Sequence, residues 1–466
     1  MTAALRPRAL RSDAIREALG LPSPDGEPRV YRGASTDSRT LEAGHLFVAL
    51  EGERHDAADF LPQAAERGAP GAIVRAGRED ADLPLEYFPV PDPLAAFGRL
   101  AARVRAESRA RVVAVTGSSG KTTVKEMIAL AVGAARPVYR TEGNLNSQVG
   151  LPLTILGAPE EAEVWVLEVG ASEPGEIAKL AAIAAPDDAV VTTVAPAHLE
   201  AFGTVERVLA EKLDLARAVS GQGTVVVGER PPELARAARV FRPDVVVAGL
   251  GERATYRPER WDVSADRVRF ERGGVAVEVP VGGEHHLRDA LMATAVAEAL
   301  GVPLETAARG LARYAPVGLR GAVRRIGGLT VLADCYNANP ESFAAAIAQC
   351  RDLYPGRRLA AFVGSMLELG EEEEAAHRDV ARQLVEAGFA LVAATGAFAA
   401  VVEEGSVNGT RVLASADPDA VWEDFAAGLE GDEVVLVKAS RGARLERVLE
   451  RLEGRFGGDA PDGGTA

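Results

Sequence analysis

The chain has 466 residues, which is too long for a single hydrophobic core, so we expect about three domains. Hydrophobic residues make up 47% and charged residues 26%, and no segment reaches the roughly 18 uninterrupted apolar residues that predict a membrane span. The formal net charge of −16 argues against nonspecific nucleic-acid binding, which needs a basic surface, although a local cluster of Lys or Arg suffices for one small anionic ligand.

The first region, residues 1–109, mixes short strand-like runs (HLFVAL, GAIVRA) with a helix-like run (DFLPQAAERG). Its beginning alternates charges with short apolar runs and has no apolar segment followed by a cleavage site. We therefore expect no signal peptide and a cytoplasmic protein.

The second region, residues 110–316, has a strand-then-helix rhythm. The apolar run VVAVTG at 112–117 is followed by KTTVKEMIALAV, whose apolar positions have helical spacing. WVLEVG at 165–170 and AVVTTVAP at 189–196 have the composition of buried strands, so we predict a mostly parallel sheet covered by helices. Residues 222–282 differ, because short β-like runs (TVVVG, VVVAG, VAVEVP) alternate with turn residues.

A third α/β unit is predicted from residue 317 to residue 459. It contains LTVLAD, a helix from Glu341, and the runs RLAAFVG, FALVAATG and EVVLVKAS. Residues 460–466 end a Gly-, Pro- and Asp-rich segment and are predicted to be disordered. The only two cysteines, Cys335 and Cys350, make a disulfide framework or a cysteine metal site improbable.

The strongest single motif is GSSGKTT, Gly117 to Thr123, between a strand and a helix. Its glycines let the backbone approach phosphate oxygens, and successive N–H groups and the helix N-terminus then point at the anion. Lys121 would neutralise β- and γ-phosphate charge and Thr122 could hold Mg²⁺. The competing interpretation is a Gly-Ser turn before a helix with an exposed lysine. The loop is also shorter than the common form, since Val115 stands at the position of the first glycine.

Further strings follow this loop in the order found in one family. They are TEGNLNSQVGLPLTIL, VLEVGASEPGEI, APAHLEAFG with a downstream LAEK, GEHHLRDALMATAVAEALG, VGLRGA, ADCYNANPESF, VGSMLELGEEEEAAH and LVKASRGARLE. Together with STDSRTLEAGHLFVALEGERHDAADF before it, the sequence resembles the Mur ligase family over nearly the whole chain. The resemblance implies an α/β protein of three domains: a UDP-substrate domain (1–109), a central P-loop-type ATP-binding domain with a mostly parallel sheet (110–316) and a Rossmann-like C-terminal domain (317–459).

The resemblance also implies a reaction. ATP would phosphorylate a carboxylate of UDP-N-acetylmuramoyl-tripeptide, and an amine would attack the acyl phosphate in a step of peptidoglycan synthesis. The YNANP string, with neither DNPR nor DDDP present, indicates the family member that uses D-alanyl-D-alanine as the amine. We expect no nucleic-acid partner, no membrane span and a monomer. Two alternatives stay open: a family ligase with another amino acceptor, and an ATPase or switch protein that does not ligate.

Two anions approach each other in the first step, so cations are essential. The resemblance implies Lys121, His198 and Lys212 as catalytic residues and Thr122, Glu168, His198 and Lys212 as ligands of two Mg²⁺ ions. Lys212 would be carbamylated by CO₂, which requires a lysine able to be neutral and supplies the hard oxygens that Mg²⁺ prefers. The plainer interpretations are a solvated strand-end acid for Glu168, a structural histidine for His198 and a surface lysine for Lys212.

The remaining expected contacts follow from the same resemblance. The residues expected to bind ATP are Gly117, Ser118, Ser119, Gly120, Lys121, Thr122, Thr123, Asn144, Asn146, Asp289, Arg320 and Asp334. The residues expected to bind substrate are Thr36, Ser38, Arg39, Tyr336, Asn337, Asn339, Lys438, Ser440 and Arg441. The alternative for the YNANP residues is an ordinary turn, since Asn and Pro favour turns.

Several positions depart from the family pattern. They are Ala57 and Ala58 for a Gly-His pair, Ser147, His286 and Asp289 for asparagines, Ser365 for an aspartate and Ala439 for a glycine. Asp289 loses an amide donor near the expected adenine position. We therefore expect activity with altered nucleotide or acceptor affinity.

Overall fold

The computed structural model describes residues 8–23, 26–52 and 55–457 of the chain. The extreme N-terminus and the predicted disordered tail at 460–466 lie outside the described residues. Within the described part, no helix combines the length and the apolar character that a membrane crossing needs.

The N-terminal part is built on a four-stranded parallel sheet of order β3-β4-β5-β6. The elements are β1 (Leu10–Arg11), α1 (Ser12–Leu19), β2 (Val30–Tyr31), β3 (Ala34–Ser35), β4 (Leu46–Val48), a 3₁₀ helix (Ala57–Phe60), α2 (Leu61–Glu66), β5 (Gly71–Arg75), β6 (Glu86–Val90) and α3 (Pro93–Glu107). The apolar runs LFV and GAIV are buried, which explains why these short segments form the inner strands.

The central part contains a six-stranded parallel sheet of order β12-β11-β10-β7-β9-β8. The elements are β7 (Arg111–Thr116), α4 (Lys121–Gly133), β8 (Val138–Arg140), α5 (Gly150–Leu156), β9 (Val164–Glu168), α6 (Glu176–Ala184), β10 (Asp188–Val191), α7 (Leu199–Phe202), α8 (Val205–Arg217), β11 (Val225–Gly228), α9 (Pro232–Phe241), β12 (Val246–Ala248), β13 (Arg260–Val263), β14 (Val268–Arg272), β15 (Val275–Val279), α10 (Glu284–Ala299) and α11 (Leu304–Leu311). The parallel sheet predicted for this region is confirmed.

Residues 222–282, which the sequence marks by short β-like runs, contribute to two sheets: β11 and β12 extend the parallel sheet, and β13, β14 and β15 form a separate antiparallel sheet. One detail of the central part differs from the sequence prediction. The strand predicted over 189–196 ends at Val191, and Thr192 and Thr193 leave the sheet. Their β-branched side chains resemble those of a strand, but they turn toward the loop after β7.

The C-terminal part contains a seven-stranded sheet of order β16-β17-β22-β18-β19-β21-β20, antiparallel only at its two edges. The elements are β16 (Ala322–Ile326), β17 (Leu329–Asp334), α12 (Pro340–Leu353), β18 (Leu359–Val363), a 3₁₀ helix (Gly370–Glu372), α13 (Glu373–Glu386), β19 (Phe389–Thr395), a 3₁₀ helix (Gly396–Ala400), β20 (Gly405–Val407), β21 (Thr410–Ser415), α14 (Trp422–Ala427), β22 (Val434–Lys438), a 3₁₀ helix (Arg441–Ala443) and α15 (Glu446–Phe456).

Helix α3 joins the first part to the second. It packs on α5 and α6, and its Phe97 and Leu100 share one hydrophobic core with Ile155 and Leu180. At its end the buried Arg105 donates to the carbonyl oxygens of Ala184 and Ala185, each at 2.9 Å. The predicted boundary at residue 109 therefore follows a helix that is already anchored on helices of the central part.

Candidate active site

The carboxyl ends of three adjacent strands meet at one edge of the central sheet. β7 lies between β9 and β10, so the GSSGKTT loop, Glu168 and the chain leading to His198 leave the sheet side by side. Three neighbouring strands of the C-terminal sheet, β17, β22 and β18, likewise end together near Asp334 and Lys438. A cavity of about 650 Å³ lies between these two edges, which is where open α/β sheets bind ligands.

The GSSGKTT loop is shaped by two glycines with left-handed backbone. Gly117 has φ +147°, and a Cβ at this position would collide with Thr192 Oγ1. Gly120 has φ +80°, and a Cβ there would lie 3.0 Å from Asp289 Oδ1. Lys121 begins α4, and its Nζ donates to the Gly117 carbonyl at 2.7 Å. The loop therefore presents the N-terminus of a 13-residue helix to the cavity, an arrangement that suits phosphate.

Glu168 ends β9 and is only 1% exposed. Its carboxylate accepts hydrogen bonds from Thr122 Oγ1 at 2.9 Å and Asn146 Nδ2 at 2.7 Å. A fully buried lysine that the sequence prediction missed, Lys125, places its Nζ 3.6 Å from Glu168 Oε2. The interpretation of Glu168 as a solvated strand-end acid does not fit this burial.

His198 has φ +53° and precedes the short helix α7. Its Nδ1 lies against the carboxylate of Glu368 from the C-terminal part, and the Glu200 N–H donates to the Glu368 carbonyl at 3.2 Å. Burial lowers the pKa of His198; Glu368 opposes this shift, and the charges of Lys121 and Lys212 add to it. Glu368 was also missed, because it lies 170 positions further along the sequence.

Lys212 lies on α8 and is 2% exposed, so it is not a surface lysine. Burial, assisted by the charge of Lys121, lowers its pKa to about 7, against the opposing effect of Glu211 and Glu176. A lysine in this environment can be neutral near physiological pH, as carbamylation requires.

The C-terminal part contributes cations and an acid to the cavity. Lys438 contacts Asp334 and places its Nζ 3.4 Å from the Asn337 carbonyl. Arg320 stacks on the Tyr336 ring, with its Cζ 3.7 Å from the ring centre. Arg320, Asp334, Asn337 and Lys438 line the cavity opposite the GSSGKTT loop.

Asn339 contacts the GSSGKTT loop, Gly117 to Thr123, which we call the phosphate loop after the role that the sequence predicts for it. Its side chain caps α12 through a reciprocal pair of bonds with Ser342, and its Nδ2 donates to Ser119 Oγ at 3.0 Å. Two residues on, Glu341 accepts from Thr193 Oγ1 at 3.0 Å. The YNANP string is thus more than a turn, and it joins the C-terminal part to the loop that would hold phosphate.

Other predicted residues lie away from the cavity. In the N-terminal part, Ser38 Oγ donates to Gln63 Oε1 at 2.6 Å, and Arg39 pairs with Asp37, lowering the pKa of that carboxyl to about 2. The cavity lining also leaves out several predicted residues, namely Thr36, Gly117, Asn144, Asn146, Glu168, His198, Lys212, Tyr336, Ser440 and Arg441.

Most of the departures from the family pattern have local partners. Ser147 Oγ accepts from the Gly150 N–H at 3.3 Å, Ser365 Oγ accepts from the Ala397 N–H at 2.8 Å, and His286 Nδ1 lies 2.7 Å from the Gly282 carbonyl. Ala439 is completely buried.

Asp289 stands where the family pattern has an asparagine, and its surroundings change its acidity. Burial, assisted by the negative charge of Glu341 and opposed by Arg288, raises the pKa of Asp289 well above its usual range. The raised pKa favours the protonated acid, which has both a donor and an acceptor, as an asparagine does. The expectation that this position has lost an amide donor stays a prediction.

Two family models match the chain. One describes the Mur ligase middle domain and covers residues 115–297, and the other describes the Mur ligase glutamate ligase domain and covers residues 320–441. A UDP-N-acetylmuramoyl-tripeptide–D-alanyl-D-alanine ligase of Bacillus subtilis is 32% identical, with 93% of this chain and 95% of that protein aligned. The chain belongs to the Mur ligase family.

Further relatives support this membership. The ligase of the same name from Escherichia coli is 35% identical, over 90% of this chain and 93% of that protein. A crystal structure of MurF from Acinetobacter baumannii has a TM-score of 0.86 at 27% identity, covering 97% of this chain and all of that one. MurF ligase from Thermotoga maritima, solved in complex with ADP, has a TM-score of 0.78 at 31% identity and covers 91% and 97% of the two chains. The family and the α/β class predicted from the sequence are confirmed.

Proposed function

We propose that this Mur ligase joins D-alanyl-D-alanine to UDP-N-acetylmuramoyl-tripeptide with ATP, through an acyl phosphate. The observation that carries the proposal is the meeting of the GSSGKTT loop with the YNANP string, through Ser119 and Asn339, beside a cavity lined by both parts. The relatives of the same printed name align with nine-tenths or more of this chain. We assign residues 1–109 to the UDP substrate, 110–316 to ATP and 317–459 to closure over both.

The donor set suits Mg²⁺. Thr122 and Glu168 supply hard oxygens, and His198 and a carbamylated Lys212 would complete two sites. No three His, Cys, Asp or Glu side chains form a ready cage among residues 8–23, 26–52 and 55–457, but Mg²⁺ usually takes one or two protein carboxylates together with substrate phosphates. When bound, Mg²⁺ would neutralise phosphate charge and bring the two anions together.

The protein's own residues would act in two steps. Lys121 and the α4 N-terminus hold the γ-phosphate while the tripeptide carboxylate attacks it and ADP leaves. Arg320 and Lys438 bring further positive charge from the C-terminal side of the cavity. The amine of the dipeptide then attacks the acyl carbon, and inorganic phosphate leaves. We assign this reaction to the cytoplasm.

Mass spectrometry of the products tests the proposal. UDP-N-acetylmuramoyl-tripeptide, ATP and Mg²⁺ are incubated with D-alanyl-D-alanine or with a panel of single amino acids and diamino acids. We expect the pentapeptide product with one ADP and one phosphate per bond formed. Faster joining of a diamino acid would indicate the other ligase activity, and phosphate release without a joined product would indicate an ATPase or switch.

A further inference from the structure

Lysine is scarce in this chain. Only five of its 52 basic residues are lysines, and the rest are arginines. Four of the five, Lys121, Lys125, Lys212 and Lys438, lie in or beside the candidate active site, while Lys179 is exposed on α6. The proposed function gives a role to three of these four but none to Lys125.

Lys125 lies on α4, one turn after Lys121, with a side chain that is fully buried. Its Nζ donates to the Thr141 carbonyl at 2.7 Å and lies 3.2 Å from Glu126 Oε1 and 3.6 Å from Glu168 Oε2. An ammonium has three N–H donors, and three acceptors surround this one. The amine is thus enclosed by partners and does not reach the cavity itself.

The same contacts fix Glu168. Thr141 bonds to both residues, since its carbonyl accepts from Lys125 and its Oγ1 accepts from the Glu168 N–H at 2.9 Å. The Glu168 carboxylate oxygen nearest to Lys125 is also the one that accepts from Thr122. A buried carboxylate needs a compensating cation to keep its charge and orientation.

We propose that Lys125 is a positioning residue for Glu168, holding its carboxylate toward Thr122 at the phosphate loop. The inference rests on the proposed function, because it takes Glu168 as a ligand of the catalytic Mg²⁺. A planar guanidinium with five donors would not fit three acceptors arranged around one enclosed nitrogen. This explains why lysine stands here in a chain that otherwise uses arginine.

The test measures metal binding rather than turnover. Mn²⁺, as a spectroscopic substitute for Mg²⁺, is titrated into the full-length protein with ADP and followed by electron paramagnetic resonance. The variants are Lys125→Met, Lys125→Arg, Glu168→Gln, and the double variant of Lys125→Met with Glu168→Gln; Lys179→Met is the matched control. Lys125→Met and Lys125→Arg should weaken Mn²⁺ binding about tenfold or more, the usual effect of losing a residue that orients a metal ligand, while metal-free ADP binding and the control stay unchanged.

The double variant shows whether Lys125 acts through Glu168. Adding Lys125→Met to Glu168→Gln should cause no further loss of Mn²⁺ affinity, and two independent additive losses would overturn the proposal. So would a folded Lys125→Met protein with wild-type Mn²⁺ affinity. If Lys125→Met alone fails to fold, the double variant, which leaves no unpaired charge, is compared with Glu168→Gln. Wild-type protein that makes no ligation product contradicts the proposed function instead, and it does so whatever the Mn²⁺ titrations show.

Discussion

Removal of dissolved CO₂ should inactivate the wild-type enzyme reversibly, because the proposed carbamate on Lys212 forms from CO₂ and a neutral amine. Lys212 is 2% exposed on α8, and the neighbouring charge of Lys121 further disfavours a second ammonium. A cation at this position would also repel Mg²⁺, whereas a carbamate supplies two hard oxygens. Loss of CO₂ and loss of the Lys212 amine should therefore have the same effect.

The pKa of Lys212 determines what fraction of its amine is neutral and able to react with CO₂. An ordinary lysine with a pKa of 10.5 is about 0.3% neutral at pH 8, whereas the pKa of about 7 for Lys212 makes its amine about 90% neutral. The reactive population is thus about 300-fold larger than on a surface lysine. Because the amine gains a proton as the pH falls through about 7, carbamate and activity should be lost on the acidic side and retained above it.

The assay combines kinetics with direct detection. Ligation rates are measured in degassed buffer from pH 6 to 9, with and without added bicarbonate, and ¹³C-bicarbonate is used to detect the carbamate by NMR. Lys212→Ala should lose the carbamate signal and most ligation, and acetate should restore part of the activity by filling the space of the missing carboxylate. Lys179→Ala, at an exposed position on α6, serves as the control.

Three results would contradict this reasoning. They are full ligation activity of Lys212→Ala without any added carboxylate, a ¹³C spectrum of active wild type without a signal that depends on Lys212, and a rate that is independent of CO₂ throughout the pH range.

Three further predictions concern single side chains. Lys121→Ala should lower ATP-dependent phosphate release about 100-fold or more without changing the circular dichroism spectrum, because it removes the positive charge that stabilises the transferring phosphoryl group. Near-normal release would refute the phosphate-loop assignment. Asp289→Asn should leave the KM for ATP at pH 7 within about threefold of wild type, because the raised pKa of Asp289 favours the protonated acid, which can donate as an amide does; a KM raised about tenfold or more would contradict this. Lys212→Met should raise Tm in CO₂-free buffer, because lowering the pKa of the lysine from 10.5 to about 7 on burial costs about 4 kcal/mol of folding free energy at pH 7.5. The gain in Tm should be largest below pH 7 and fade toward pH 10.5. A lower Tm of the variant at pH 7 would contradict this prediction.

The elements near the phosphate loop were predictable because local pattern determines them. β7 was predicted at 112–117 and observed at Arg111–Thr116, and the predicted helix begins at Lys121 as expected, since an apolar run, a glycine turn and helical spacing agree there. The strand predicted over 189–196 ends early, at Val191, for a physical reason. Composition cannot distinguish a buried strand from a β-branched residue whose hydroxyl hydrogen-bonds to the phosphate loop, as Thr192 Oγ1 does with the Ser119 carbonyl.

Contacts between distant parts of the chain carry no local signal. The placement of Glu368 on His198 and of Glu341 on Thr193 depends on how two sheets face each other. The raised pKa of Asp289 likewise depends on burial and on Glu341, neither of which the string HHLRDAL reveals. Sequence resemblance named the strings that meet, but the geometry was needed to say which atoms do.

One signal for the missed lysine was nevertheless present in the composition. Where a surface needs only positive charge, arginine serves as well as lysine, and this chain uses arginine at nearly every such place. Two of the remaining lysines stand where guanidinium chemistry fails: the proposed carbamate requires Lys212 to lose a proton, which arginine does not do, and Lys125 fits one nitrogen among three acceptors. In an arginine-rich sequence, composition alone therefore makes a lysine inside a phosphate-loop helix a candidate for a functional residue.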